Sequence, residues 1–187
     1  RHRIRRSRLH RGPLQQYILH QRRRVERRAQ RVGHASQFLA LAIRVAHLIR
    51  EELERLELES YVKTSGADGI HVLVPIARRA TFEQTYAFAE RVARGLEERH
   101  PGLVTTEWLK HKREGVLVDH RQNARGKTIA SVYSVRPKPG APVSTPLCWD
   151  ELMEDVTPRR FGVREALERV ERHGDLFAPV LAGGQAL

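Results

Sequence analysis

The feature that most constrains folding is the uneven distribution of charge along the 187 residues. Residues 1–38 contain twelve arginines, no lysine and one acidic residue, Glu26, so their net charge is 12 − 1 = +11. The other 149 residues contain 22 basic and 21 acidic side chains, so they carry 22 − 21 = +1 of the total of +12. A segment with so much like charge and so few apolar residues buries too little surface to offset its chain entropy. We therefore predict a basic segment over residues 1–37 and a folded domain over residues 38–187.

The basic segment has three interpretations. It could be an arm that contacts nucleic-acid phosphates and gains affinity through counterion release. It could also be a disordered segment without a binding role. Finally, basicity that comes from arginine alone is typical of a GC-rich gene translated in the wrong frame, which makes this segment a frameshift product. The sequence leaves these alternatives open.

Several classes of protein are excluded by composition. The chain contains no apolar stretch of about 18 residues, so we predict no membrane span, and the polar start has no secretory signal. The single cysteine, Cys148, excludes an internal disulfide and is typical of a reducing cytoplasm. None of the ten histidines lies at a zinc-ligand spacing. These observations predict a cytoplasmic protein without a zinc site.

Apolar periodicity predicts two long helices and two strands in the first half of the folded domain. Residues 38–56 and 82–99 repeat apolar side chains at spacings of three and four, as amphipathic helices do. The second helix follows a capping box formed by Thr81 and Gln84. Strands are predicted at residues 60–63 and 70–74, joined by the glycine turn SGADG. The predicted buried faces are Leu41, Val45, Leu48, Ile49, Leu53 and Leu56 on the first helix, and Phe82, Tyr86, Ala89, Ala93 and Leu96 on the second.

The second half mixes short strands with a proline-rich loop. Strands are predicted near residue 104, at 116–118 and at 128–133. The prolines of residues 136–146 indicate an ordered loop, followed by a single turn at 149–153. A helix is predicted at 163–172 with Ala166, Leu167 and Val170 inward. Helices alternating with strands that need not be parallel predict an α+β fold, with helices packed on a mixed or antiparallel sheet.

Four side chains suggest nucleotide chemistry. Ser65 and His71 lie on either side of the glycine turn, Asp119 follows a short apolar strand, and Arg136 follows farther on. A carboxylate for a metal, a hydroxyl and a histidine for phosphate oxygens and an arginine for triphosphate charge are what phosphoryl transfer requires. Each also has a structural alternative: Asp119 as a turn cap, His71 as a core histidine and Arg136 as a surface residue. Tyr133 and Trp149 are predicted to be packing residues.

Three long motifs carry a family resemblance. They are KTSGADGIHVLVP, VDHRQNARGKTIASVYSVR and PGAPVSTPLCWDEL. Together they resemble the polymerase domain of bacterial ATP-dependent DNA ligase D, a member of the archaeo-eukaryotic primase superfamily used in non-homologous end joining. The resemblance covers residues 39–187 and implies a primase-polymerase fold with an RRM-like catalytic core.

The resemblance also implies an activity and its site. The family transfers NTPs or dNTPs to a primer 3′ end on DNA with two divalent ions, Mn²⁺ or Mg²⁺. Asp119 matches the third of three metal carboxylates. The family's nucleotide-binding residues match Ser65, His71, Gln122, Arg136 and Arg113, with Lys112 as the competitor of Arg113. The implied partners are DNA ends, a ligase domain and Ku in a nucleoid-associated bacterial protein.

Two departures from the family change the expected activity. Asp68 stands where the family carries a lysine, and no Asp precedes it, so the Asp-x-Asp-Pro motif that supplies the other two carboxylates is absent. One carboxylate cannot hold two ions about 3.5–4 Å apart. We therefore predict an N-terminally incomplete polymerase domain with little or no activity of its own. The alternative is a non-catalytic nucleic-acid-binding remnant whose basic arm contacts phosphates.

Overall fold

Local sequence signals define most elements of the computed structural model, which describes residues 37–152, 156 and 160–187. Helix α1 spans residues 37–55. The further elements are β1 (Tyr61–Thr64), β2 (Ile70–Leu73), α2 (Phe82–Arg99), β3 (Val104–Thr105), β4 (Val116–Leu117), β5 (Pro146–Leu147), α3 (Val163–His173) and α4 (Ala178–Ala182). Three short 3₁₀ helices span Lys110–Lys112, His120–Asn123 and Trp149–Glu151. The predicted helices and the first two strands are thus confirmed to within one or two residues.

The strands form two small sheets. In the first, the order is β2-β1-β5 and all neighbours are antiparallel, with Lys63 opposite His71 and Val62 opposite Leu147. In the second, β3 and β4 run parallel, so both strands end at the same edge. Helices combined with mostly antiparallel strands make an α+β fold, as the sequence predicts.

Helix α1 separates two hydrophobic clusters. Leu39, Ile43 and Ala46 pack with Val62, Leu147, Leu152, Val156 and Phe161 against the first sheet. On another face of the same helix, Ala42 and Val45 pack with Leu96, Val104 and Val116 against α2 and the second sheet. A helix that is apolar over such a wide arc is buried on two sides. Helix α1 therefore lies between the two sheets and contributes side chains to both clusters.

Helix α2 begins where the capping box predicts. The Thr81 hydroxyl accepts a hydrogen bond from the Gln84 N–H at 3.2 Å, and the Gln84 side chain accepts one from the Thr81 N–H at 2.8 Å. These bonds satisfy two of the N–H groups that a helix start leaves unpaired. Ala93 and Leu96 of this helix are fully buried, as predicted.

Some predicted burial is wrong. Leu41, Leu56 and Phe82 are exposed, and so are Leu167 and Val170 of α3, where Ala166 is buried. These side chains share helical spacing with buried neighbours, but spacing alone does not show which part of a wide apolar face the other elements cover.

The predicted strand at residues 128–133 is also wrong. Its carbonyl groups bond elsewhere: the Ala130 carbonyl accepts from the Lys63 Nζ at 2.9 Å, and the Ser131 carbonyl accepts from the Ser134 hydroxyl at 2.7 Å. Tyr133 adopts a positive φ of 60°, which interrupts extended backbone. Conversely, the proline-rich loop predicted at 136–146 ends in β5, which pairs with β1 at the sheet edge, where proline is tolerated.

Phe38–Leu187 form one compact unit. Residues 1–36 lie outside the described part of the chain, so the basic segment and its three interpretations stay predictions. No helix of the described part is long and apolar enough to cross a membrane.

Candidate nucleotide site

The centre of the candidate site is a buried lysine on β1. The side chain of Lys63 is only 1% exposed, and its Nζ donates to the Ser144 Oγ at 2.6 Å and to the Ala130 carbonyl at 2.9 Å. The Ser144 hydroxyl in turn donates to the Thr64 carbonyl at 2.8 Å. These bonds fasten the long connection between β4 and β5 onto β1. A buried ammonium with neutral partners is costly, since none of its acceptors carries a compensating charge.

Arg136 approaches the same place from the glycine turn. Gly66 adopts a φ of +65°, and a Cβ there would lie 2.6 Å from the Arg136 Cγ, so the arginine stem packs directly on the turn. Only glycine permits both this backbone and this contact. The arginine backbone is held by its own N–H, which donates to the Pro142 carbonyl at 2.8 Å.

Ser65 organises that turn from inside. Its Oγ accepts hydrogen bonds from the N–H groups of Ala67 at 3.1 Å and Gly69 at 3.0 Å. The Ser65 N–H donates to the Gly69 carbonyl at 2.9 Å. With both acceptor positions used by the turn, the hydroxyl proton of Ser65 remains the group that could donate to a ligand.

Three basic side chains meet here, and the pKa values of two of them, Lys63 and His71, are lowered. Burial, followed by the neighbouring Arg136 guanidinium, lowers the pKa of Lys63 from 10.5 to about 8. Burial, followed by Lys63 and Arg136, lowers the pKa of His71 from 6.5 to about 4. Within the described residues, no salt bridge involves Lys63 or Arg136. The His71 Nδ1 and the Arg136 Nε are buried and have no hydrogen-bond partner. Such a cluster is suited to bind an anion, because an anion supplies both the missing charge and the missing acceptors.

Asp119 and Gln122 form a second group beyond the end of β4. Asp119 is the N-cap of the 3₁₀ helix His120–Asn123: its Oδ1 accepts from the Arg121 N–H at 3.2 Å and its Oδ2 from the Gln122 Nε2 at 3.1 Å. The adjacent His120 is buried and reaches the Tyr86 hydroxyl of α2 at 3.3 Å. The turn cap is therefore present, and it leaves the carboxylate partly exposed beside the predicted glutamine.

The Arg113 side chain forms hydrogen bonds to the backbone of the loop that precedes β4. Its Nε donates to the Glu107 carbonyl at 3.0 Å and its Nη2 to the Trp108 carbonyl at 2.7 Å. Its competitor Lys112 is exposed. The structure thus brings together Ser65, His71 and Arg136 in one group, Asp119 and Gln122 in another, and puts the Arg113 guanidinium on backbone carbonyls. A role in nucleotide binding stays a prediction for each of these residues.

Lys63 is absent from the residues that the sequence predicts for the site. The available signal was its position, since a lysine on a strand directly before the glycine turn lies opposite His71 in a hairpin register. A metal site is not formed by the described residues alone. They contain no group of three or more His, Cys, Asp or Glu side chains that could hold an ion, and Asp119 is a single carboxylate with both oxygens hydrogen-bonded.

Trp149 is a packing residue, as predicted, whereas the packing role of Tyr133 stays a prediction. The Trp149 Nε1 donates to the Ser60 carbonyl at 2.8 Å and the ring packs on the first hydrophobic cluster. The Tyr133 hydroxyl donates to Asp175 at 2.7 Å, and burial, followed by this carboxylate, raises its pKa.

Comparison with known proteins places the chain in a family. Residues 35–177 match the model of the LigD primase-polymerase domain. The chain is 38% identical over 137 residues to the multifunctional non-homologous end joining protein LigD of Mycolicibacterium smegmatis, covering 73% of this chain and 18% of that protein. It is 32% identical over 139 residues to the bifunctional non-homologous end joining protein LigD of Bacillus subtilis, covering 73% and 23%.

A solved structure gives the same answer for the fold. The polymerase domain from Mycobacterium tuberculosis ligase D in complex with DNA superposes with a TM-score of 0.73 at 33% identity, over 79% of this chain and 51% of that one. The chain therefore spans about a fifth of the length of these relatives and about half of the solved domain. On this combination of sequence and fold, the chain belongs to the LigD primase-polymerase domain family of non-homologous end joining DNA repair.

Proposed function

We propose that the described residues form the nucleotide-binding part of a polymerase domain that extends a primer 3′ end during DNA end joining. The observation that carries this proposal is the convergence of Lys63, His71 and Arg136 without an anionic partner, with two buried nitrogen atoms left unpaired. A nucleoside triphosphate provides negative charge and acceptor oxygens in the form that such a cluster binds. The likeness to a polymerase domain solved in complex with DNA supports DNA as the second ligand.

The side chains divide the work by their chemistry. The Arg136 guanidinium would make a charge-assisted hydrogen bond to a phosphate oxygen. His71 is neutral near pH 7 because of its lowered pKa, so it would donate one N–H without adding charge. The Ser65 hydroxyl would donate a third hydrogen bond at the turn. Lys63 is buried, so it would not contact the ligand directly and would contribute positive potential.

Metal ions enter the proposal only through the family. Family members use divalent ions to neutralise charge on the transferred phosphates, and Asp119 would be one of their ligands. The described residues do not fit a metal pair, because they offer one carboxylate at this place. We therefore assign them nucleotide binding and expect little or no primer extension by this chain with Mn²⁺ or Mg²⁺.

A nucleotide titration tests the proposal. We expect ATP and dATP to bind weakly in the presence of EDTA, and Arg136→Ala to reduce the affinity on the order of tenfold, the loss of one charge-assisted contact. Arg125→Ala, at an exposed arginine of the preceding loop, is the matched control and should bind as the parent does. Equal affinities in Arg136→Ala and the parent would refute the site. Primer extension with Mn²⁺ that disappears in Asp119→Ala would refute the expected inactivity.

The wider setting of the activity also belongs to the proposal. The two curated relatives are multifunctional or bifunctional non-homologous end joining proteins. We propose by analogy that this domain acts at DNA ends beside a ligase domain and Ku, with NTPs or dNTPs, in the nucleoid region of a bacterial cytoplasm. Co-sedimentation tests DNA ends and Ku as partners. The chain is mixed with purified Ku and either a linear duplex or a closed circular one, and the amounts that sediment together are compared.

A further inference from the structure

We propose that Trp108 is a stacking platform for a base of single-stranded DNA, set beside the Asp119 turn. The choice of DNA as the ligand rests on the proposed function; the platform itself rests on the loop between β3 and β4. Because these two parallel strands end at one edge, the loop after β3 and the turn after β4 lie together there.

The indole is exposed and connected to the candidate site. Trp108 exposes 47% of its surface, and the adjacent Leu109 exposes 45%. The Arg121 guanidinium lies 5.5 Å from the Trp108 ring centroid. The backbone N–H of the same arginine donates to the Asp119 Oδ1 at 3.2 Å. One residue thus links the aromatic ring to the carboxylate that the family uses for its metal.

Hydrogen bonds that fix the loop backbone keep this ring exposed. Arg113 holds the carbonyl groups of Glu107 and Trp108, and the Glu107 carboxylate accepts from the Leu109 N–H at 2.7 Å. On the other side, the Glu97 carboxylate of α2 accepts from the Thr106 N–H at 2.8 Å and from its hydroxyl at 2.6 Å. A loop with its backbone fixed at both ends presents the ring without a large ordering penalty on binding.

The charge around the ring favours a polyanion. Residues 107–114 and 119–127 contain six Lys or Arg and three Asp or Glu side chains, so their net charge is 6 − 3 = +3. Exposed cations of these segments are Lys110, Lys112, Arg121, Arg125 and Lys127. Single-stranded nucleic acid is bound by this combination, since cations follow its backbone and an aromatic face stacks on a base. A duplex hides its base faces, and an acidic peptide has none to offer, so a single strand is the ligand that uses both features.

Intrinsic fluorescence provides a direct test, because the chain has two tryptophans. Trp149 is half-buried and hydrogen-bonded to the Ser60 carbonyl. In a Trp149→Phe variant, the tryptophan emission therefore comes from Trp108 alone. We expect oligo-dT to quench this emission at about 0.3 M salt, where any phosphate contacts of the arginine-rich residues 1–38 are weakened. Saturating binding of labelled oligo-dT without quenching would overturn the proposal.

Anisotropy of the labelled oligonucleotide then measures the contribution of the ring. Trp108→Ala should weaken binding about tenfold or more, the range reported by removal of one stacked base contact. Trp108→Phe should restore most of the affinity, and Leu109→Ala, at the exposed neighbour, should change it little. An abasic strand of the same length should bind the parent as weakly as oligo-dT binds Trp108→Ala. Equal binding of oligo-dT and the abasic strand, or of poly-glutamate, would overturn the stacking role.

The two proposals fail separately. Trp108→Ala leaves the triphosphate cluster intact, so its affinity for dATP should equal that of the parent. If dATP binds and oligo-dT does not depend on Trp108, the platform is refuted and the nucleotide site stands. If oligo-dT depends on Trp108 and dATP does not bind, the nucleotide site is refuted and the platform stands.

Discussion

Replacement of the buried lysine by methionine should change how stability depends on pH. In the folded protein the pKa of Lys63 is lowered to about 8, whereas an unfolded lysine titrates near 10.5. Between these values the unfolded chain binds the additional proton, so the free energy of unfolding of the parent rises with pH. The rise amounts to about 2 kcal/mol between pH 7 and pH 9.5 when the two pKa values are entered in the linkage relation. Lys63→Met lacks this group and hence this rise.

The order of stability of the parent and Lys63→Met should reverse between pH 7 and pH 9.5. At pH 7 the methionine variant loses two hydrogen bonds, worth about 1 kcal/mol each, but it also loses a buried charge whose pKa shift corresponds to about 3 kcal/mol. The variant should then be about 1 kcal/mol more stable than the parent at pH 7 and about 1 kcal/mol less stable near pH 9.5.

Urea unfolding followed by circular dichroism at several pH values measures both curves. His71, whose pKa is lowered partly by Lys63, is neutral above pH 7 in the parent, so in this pH range the difference between the curves reports mainly on Lys63. Lys127→Met is the matched control, because this lysine is exposed and its difference from the parent should stay flat across the range. Parallel curves for Lys63→Met and the parent would show that the lysine is not buried with its charge, and the account of the cluster would be wrong.

Three further predictions follow from other contacts. The pKa of His71 is lowered to about 4, so the parent should lose about 2.5 kcal/mol of stability from pH 6.5 down to 4 and His71→Gln should not; equal acid slopes would contradict this. Gly66→Ala, which would force a methyl group against backbone and the candidate-site arginine, should cost at least about 3 kcal/mol, whereas Gly126→Ala, with a similar positive φ and open space, should cost about 1. Arg169→Met breaks a mostly buried bidentate salt bridge and should cost about 2 kcal/mol, against less than about 1 for exposed Arg94→Met. Urea midpoints should be lower for Gly66→Ala than for Gly126→Ala and lower for Arg169→Met than for Arg94→Met. The opposite order within a pair would refute the prediction for that pair.

The sequence predicts those parts of the fold whose signals are local. The start of α2 is determined by Thr81 and Gln84, which contact each other within one turn, and the hairpin of β1 and β2 is determined by the glycine turn between them. The pairing of Asp119 with Gln122 also lies within one short turn. In each case the residues that decide the structure are a few positions apart.

The missed parts depend on contacts between distant residues. Residues 128–133 have strand-like composition, but Lys63 binds the Ala130 carbonyl from 67 positions away. Likewise, the proline at the start of β5 lowers its strand propensity, and pairing with β1 overrides it. The role of Lys63 in the site is of the same kind, because its burial and its two acceptors appear only when the β4–β5 connection is folded onto β1.

Gln185 gives the far end of the chain influence over the candidate site. Its backbone N–H donates to the Pro75 carbonyl at 2.9 Å and its carbonyl accepts from the Ala77 N–H at 2.8 Å. Its side chain bonds the Glu59 N–H at 2.6 Å and the Glu59 carbonyl at 3.0 Å. Glu59 precedes β1 and Pro75 follows β2. The hydrogen bonds of Gln185 therefore connect the two outer ends of the hairpin that carries Lys63 and His71. Proteolytic cleavage at the exposed glycines before Gln185 would break these hydrogen-bonded links. The affinity of the anion cluster for its ligand would then decline, although none of the residues of the cluster had been changed.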